Sequence, residues 1–204
     1  MPRLGHHEND ELGALARSLD RLLRAFQEGL DARDGARGEL KALNAALERR
    51  VEALLEAGIG GLYVLGGSGE GVLLSRGVRH EVAEVVMAAV GGQVPVMVHV
   101  GALSTDTAIE LTQHANLAGV DAISAVLPFY YEYPFPAIVG HFRAISAESQ
   151  VPVFVHHSPT AAAAIRPEQL LDICALEGVA GFLHVSRDMQ FLSRVVALRT
   201  TEKV

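Results

Sequence analysis

Five short runs of apolar, β-prone residues constrain this chain more than any other feature. They read "GLYVLG" (61–66), "VPVMVHVG" (94–101), "DAISAVLP" (121–128), "VPVFVHH" (151–157) and "VAGFLHVS" (179–186). They begin 27 to 33 residues apart, and helical patterns fill the intervals: "RGVRHEVAEVVMAAVGG", "STDTAIELTQHANLAG", "FPAIVGHFRAISAES" and "RPEQLLDICALEG". Strands this uniformly apolar need cover on both faces, which a parallel sheet flanked by helices provides. The period is that of one strand plus one crossover helix. Three of the helical patterns end at a glycine, as helix C-termini often do. A doubly wound open sheet and a (β/α)8 barrel both satisfy the pattern. A whole barrel takes about 250 residues, and residues 51–204 have room for about five units. The expected class is therefore α/β, either an open sheet or an incomplete (β/α)8 barrel of about five βα units.

Before residue 50 the rhythm differs. Leu12, Leu15, Leu19, Leu22, Phe26 and Leu30 recur at alternating steps of three and four, the mark of a helical seam. Gly29, Gly35 and Gly38 interrupt it, and Leu40, Leu43, Leu47, Val51, Leu54 and Leu55 resume it. Residues 1–50 are expected to form an α-helical hairpin or coiled-coil segment, and residues 51–204 the βα units. "DELGALARSLDRLLRAF" (10–26) resembles the second helix of HAMP signalling linkers, and "ELKALNAALERRVEALLEA" (39–57) resembles the coiled coil that often follows it.

Charge and composition exclude several classes of function. The 204 residues carry 24 acidic against 17 basic side chains, a net charge of −7. A nucleic-acid surface needs clustered Lys and Arg, so no nucleic-acid partner is expected. No apolar run reaches the roughly 18 residues that cross a bilayer, and "MPRLGHHENDE" lacks a signal-peptide core. A single cysteine, Cys174, permits no internal disulfide. No membrane partner and a cytoplasmic location are the expectation. His6 and His7 are neighbours that do not share a helix face, so they are not read as a metal pair.

The loop "GGSGEG" (66–71) follows the first run. It lacks the Lys of a G-x-x-x-x-G-K-[ST] phosphate loop and departs from G-x-G-x-x-G at Val72. Glu70 would repel a phosphate. Two roles remain open: a plain βα turn, or a nest of N–H groups that with the Ser68 hydroxyl grips a small carboxylate.

The segments "GLYVLGGSGEGVLLS", "VPVMVHVGALSTDTAIELTQHANLAGVDAISAVLPFYYEYP", "VPVFVHHSP" and "VAGFLHVSRD" resemble the N-acetylneuraminate lyase and dihydrodipicolinate synthase family over roughly residues 47 to 198. "PFYY" is the neuraminate-lyase form, and the region of Ala161 lacks the arginine of the synthase branch. The resemblance implies that residues 51–204 are an incomplete (β/α)8 barrel, of a kind that catalyses pyruvate-dependent aldol cleavage or condensation. A lysine would form the Schiff base, a tyrosine would relay protons, and the glycine loop would hold the pyruvate carboxylate. It implies no cofactor and no metal, and a pyruvate-like 2-oxo acid as ligand.

Carried over position by position, the resemblance assigns carboxylate binding to Gly67, Ser68, Gly69 and Glu70. Gly67 stands where the family has a first hydroxyl, a loss of about 1–2 kcal/mol of carboxylate binding. Tyr130 matches a tyrosine that in the family reaches a neighbouring subunit's proton relay. His156 stands at the catalytic tyrosine, with His157 where the family has Asn. Leu183 stands at the Schiff-base lysine, between Gly181 and Ser186, which align. The chain has two lysines, Lys41 and Lys203, and neither fits that position. A Schiff base needs a buried amine, so the expected protein is a catalytically inactive member of the family.

Two alternatives stand beside that reading. One is a non-catalytic oligomerising or signalling module with a small-carboxylate site. The other is an enzyme repurposed around His99, His156, His157 and His184, all near strand ends, although the adjacent pair His156 and His157 must face opposite ways. Against the family pattern the first strand is replaced by the helical segment, and the chain stops after the sixth family strand. Two open sheet edges are then expected to promote a homo-oligomer.

Overall fold

The computed structural model describes residues 42–159 and 165–201. The heptad-like and HAMP-like stretches of residues 1–41, Lys41, the Ala161 region and Lys203 lie outside the described residues. The chain divides into two compact units, Met1–Ala46 and Leu47–Val204, and the architecture below is that of the second.

A helix over residues 42–56 (α1) leads into β1 (Leu62–Val64). Then follow α2 (Arg76–Val90), β2 (Val96–His99), α3 (Thr105–Ala118), β3 (Ala122–Val126), α4 (Phe135–Glu148), β4 (Val153–His157), α5 (Pro167–Cys174), β5 (Val179–His184) and α6 (Met189–Thr201). Each expected strand is present, trimmed at its ends. Local chemistry sets the helix limits. Ser104 accepts the Thr107 N–H at 3.2 Å, and Asp106 lies in the first turn of α3, where the helix dipole favours an anion. Gly91 and Gly119 end α2 and α3 in the left-handed conformation. Pro167 opens α5, and Gln169 Oε1 accepts the Arg166 N–H at 2.9 Å. Asp188 Oδ1 accepts the N–H groups of Gln190 and Phe191 at the start of α6.

The five strands form one parallel sheet in the order β1-β2-β3-β4-β5. Strand order equals chain order, so there is no reversal point, and this decides between the two architectures left open by the sequence. With right-handed crossovers throughout, the helices share one face. This is the wall of a partial (β/α)8 barrel, not a doubly wound sheet.

The two faces of the sheet differ. Val96, Val98, Ile123, Ala125, Val153 and Val155 join the core with Val86, Leu111, Phe142, Ile145 and Ile173 of the helices. Phe142, Ile123 and Ile145 are fully buried, each contributing about 1.5–3 kcal/mol. Leu47, Val51 and Leu55 of α1 pack on the same core. The alternate residues (Tyr63, Met97, His99, Ser124, His156 and Leu183) face the barrel interior. One irregularity matters there. β4 and β5 pair Val153 with Val179 but Phe154 with Gly181, so Ala180 is bulged out of the ladder. The pairing then continues with His156 beside Leu183 and His157 beside His184.

Among the described residues no helix is long and apolar enough to cross a membrane.

Candidate functional site in the barrel interior

Four adjacent strands each place one polar side chain on the interior face, and the four meet. Tyr63 of β1 lies with its hydroxyl 2.9 Å from His156 Nδ1 of β4 and 3.2 Å from His99 Nδ1 of β2. Ser124 of β3 donates to the Tyr63 oxygen at 2.9 Å, and its own oxygen is 2.9 Å from His99 Nδ1. The His99 and His156 rings stand edge to face, with centroids 5.3 Å apart.

Nearby glycines make room for this cluster. A Cβ on Gly66 would lie 2.6 Å from the Tyr63 ring, and one on Gly101 would lie 2.5 Å from His99 Nε2. The end of β2 is pinned from outside. The buried Arg79 of α2 donates to the His99 carbonyl at 2.7 Å and to the Gly101 carbonyl at 3.0 Å.

Burial sets the charge state. It pushes His99 down to about 3, helped by repulsion from His156 and Arg79. It lowers His156 as well. It raises Tyr63, against a smaller opposite effect of the Ser124 hydrogen bond. At neutral pH the cluster is therefore uncharged, two imidazoles and two hydroxyls.

The sequence-derived candidates are distributed unevenly around this centre. His156 is in it. Leu183 is its cross-strand neighbour on β5, on the same interior face. Gly67, Ser68 and Gly69 form an exposed 3-10 turn after β1, closed by Glu70 in the left-handed conformation (φ 48°). Among the described residues the Ser68 hydroxyl has no protein hydrogen-bond partner. The loop folds back so tightly that a Cβ on Gly71 would collide with the Leu65 carbonyl oxygen. Tyr130 lies in the loop after β3 at φ 80°, 82 % exposed, its ring edge to face with Tyr131 at 4.7 Å. It is not part of the interior cluster.

The four histidines separate into two pairs. His99 and His156 are interior. His157 and His184 lie on the helix face, with their Nδ1 atoms 2.9 Å apart and both rings stacked on Phe191 of α6. Burial, with repulsion from His184 and His156, holds His157 down to about 4. Among the described residues no group of three His, Cys, Asp or Glu side chains is placed to hold a metal ion.

Tyr63 and Ser124 are functional candidates that the sequence reading passed over. Within "GLYVLG" and "DAISAVLP" each reads as a lone residue in an apolar strand. The signal was positional: each occupies the interior-facing position of its strand next to a histidine-bearing neighbour.

Residues 36–203 match the Dihydrodipicolinate synthetase family. N-acetylneuraminate lyase from Rhizobium meliloti (strain 1021) is 34% identical over 150 residues, covering 74% of this chain and 50% of that protein. A putative dihydrodipicolinate synthetase from Pseudomonas aeruginosa superposes with a TM-score of 0.74 at 26% identity, over 77% of this chain and 55% of that one. A prophage protein of the dihydrodipicolinic acid synthase family from E. coli K12, solved in complex with pyruvate, superposes with a TM-score of 0.69 at 25% identity, over 74% of this chain and 51% of that one. The chain spans about half the length of the curated relatives it matches.

Proposed function

The chain belongs to the dihydrodipicolinate synthetase family, and from that premise we propose that it keeps the frame of a pyruvate-dependent carbon–carbon lyase without the covalent step. In this reading a small 2-oxo acid binds non-covalently between the glycine loop and His156, and no Schiff base forms. One observation carries the proposal: Leu183, at the family's lysine position, faces the interior directly beside His156. An alkyl side chain there has no lone pair with which to attack a carbonyl. The pyruvate in the E. coli prophage relative supports the ligand class. The Ser68 hydroxyl supports the place of its carboxylate, with Gly67, Gly69 and Glu70 shaping the turn. Tyr130 is assigned no catalytic part in this chain, and a cytoplasmic location accompanies the proposal.

The test is intact mass after incubation with pyruvate and borohydride, with an active family member as control. No adduct is expected on this chain. A pyruvyl-lysine adduct would sink the proposal and direct attention to Lys41 or Lys203.

A second reading, an oligomerising module, is favoured by the apolar side chains exposed on loops that follow the strands. Leu73, Leu103, Tyr130 and Tyr131 are 61 to 82 % exposed. Sedimentation across a hundredfold range of concentration should show a homo-oligomer dissociating. A concentration-independent monomer would remove this reading.

A further inference from the structure

The interior cluster shares a few protons among four contacts, and that restricts how its hydrogen bonds can run. Tyr63 has one proton to donate and three neighbours: Ser124 Oγ, His156 Nδ1 and His99 Nδ1. Ser124 uses its own proton on the Tyr63 oxygen. The Tyr63 proton must then go to a ring nitrogen, and His156 Nδ1 at 2.9 Å is nearer than His99 Nδ1 at 3.2 Å. His99 Nδ1 lies 2.9 Å from the Ser124 oxygen. With the Ser124 proton already used, that contact is satisfied only if His99 Nδ1 carries a proton and donates. With Ser124 as donor to Tyr63, one run satisfies every member: His99 Nδ1–H to Ser124 Oγ, Ser124 O–H to Tyr63 Oη, Tyr63 O–H to His156 Nδ1.

We propose that Tyr63 is a positioning residue that holds His156 as its Nε2–H tautomer, so that the imidazole offers a neutral N–H donor to an oxygen of a ligand in the barrel interior. The reversed direction would make Nε2 a bare lone pair, which repels carboxylate and carbonyl oxygens alike. The tautomer therefore decides what the interior accepts: a carbonyl or carboxylate oxygen, not a donor such as an ammonium group. That ligand class rests on the 2-oxo acid reading above, whereas the tautomer itself does not.

The neutral state of both rings follows from the same enclosure. His99 is 4 % and His156 8 % exposed, and among the described residues no carboxylate contributes to the charge state of either ring. A protonated His156 would donate from both nitrogens and force Tyr63 to turn its proton toward His99, breaking the chain at its centre.

The experiment is long-range proton–nitrogen correlation NMR on the full chain labelled with 15N-histidine at neutral pH. The expected His156 pattern is a protonated Nε2 and an unprotonated Nδ1. In Tyr63→Phe, the Nδ1 partner is gone, and His156 should move toward a mixture of tautomers. Ser124→Ala should leave His156 in the wild-type tautomer, because Tyr63 still donates to it. A wild-type His156 protonated at Nδ1, or one unchanged by Tyr63→Phe in a protein whose amide spectrum shows it folded, overturns the proposal. The wild-type spectrum alone suffices if the variants do not fold. Adding pyruvate to the same sample separates this proposal from the functional reading. A shift of the His156 Nε2 signal that weakens about fivefold or more in affinity for Tyr63→Phe supports both. A locked tautomer with no response to pyruvate upholds the positioning role of Tyr63 and removes the 2-oxo acid.

Discussion

At the scale of single residues, Leu183 is the position where one substitution changes the chemistry. Leu183→Lys would place an amine beside the neutral His156, where partial burial lowers its pKa and frees its lone pair. The variant should lose about 1–3 kcal/mol of stability, because the amine is partly removed from water. It should gain a borohydride-trapped pyruvate adduct that is not expected on the parent chain. A stable, folded Lys variant without adduct would mean that the interior does not hold a pyruvate carbonyl within reach of β5. If His156 stands at the family's tyrosine position, as the resemblance implies, the exchange is not equivalent to a loss, because imidazole replaces a phenol with another donor. On the proposed reading, what the site lacks is the nucleophile.

At the scale of elements, the glycine loop after β1 contains positions of opposite tolerance. A Cβ added at Gly67 would meet nothing within 4 Å, whereas at Gly71 the Leu65 carbonyl occupies that place. Gly67→Ser should therefore change stability by no more than about 0.5 kcal/mol, and should tighten pyruvate about tenfold by adding a second hydroxyl. Gly71→Ala should cost about 3 kcal/mol, since the obstacle is backbone and cannot rotate away. Thermal melts and a pyruvate titration of the two variants check both statements.

The same elements show what the sequence could reveal. The strand and helix limits were legible because local chemistry fixes them: Ser104 caps α3, Gly119 ends it, and Pro167 opens α5. The βα units were legible from the spacing of the strands, whereas barrel wall against doubly wound sheet was decided by the strand order. The interior cluster was not, because it depends on side chains up to 93 residues apart, Tyr63 and His156, meeting across four strands. The loop's glycines were legible as a turn, but which of them is sterically obligatory depends on where the chain folds back on Leu65.

At the scale of the whole molecule, three histidines are held neutral by burial. His99 falls to about 3, and His141 and His157 to about 4, in each case chiefly through desolvation. In the unfolded chain each would titrate near 6.5. Between pH 6.5 and 4 the unfolded state thus binds up to three more protons than the folded one, and stability falls as pH falls. Each histidine contributes a slope of about 1.4 kcal/mol per pH unit in that window. Denaturant melts from about pH 7.5 to about 4.5 should show the folded state weakening steadily once the pH passes below the unfolded histidine range. A flat profile there would mean that these rings are solvated in the native protein.

The bulge at Ala180 has a further consequence, one of parity. Counted as a regular strand from Val179, Leu183 is an even number of steps away and belongs with Val179 on the helix side. His184 would then project inward. The single unpaired residue turns even into odd for everything downstream, so that Leu183 meets His156 and His184 meets His157. Inside and outside on β5 are thus decided by one residue of backbone slack and not by hydrophobicity. In this fold an apolar side chain can occupy the centre of a polar site, and a histidine can lie in the packed layer behind it.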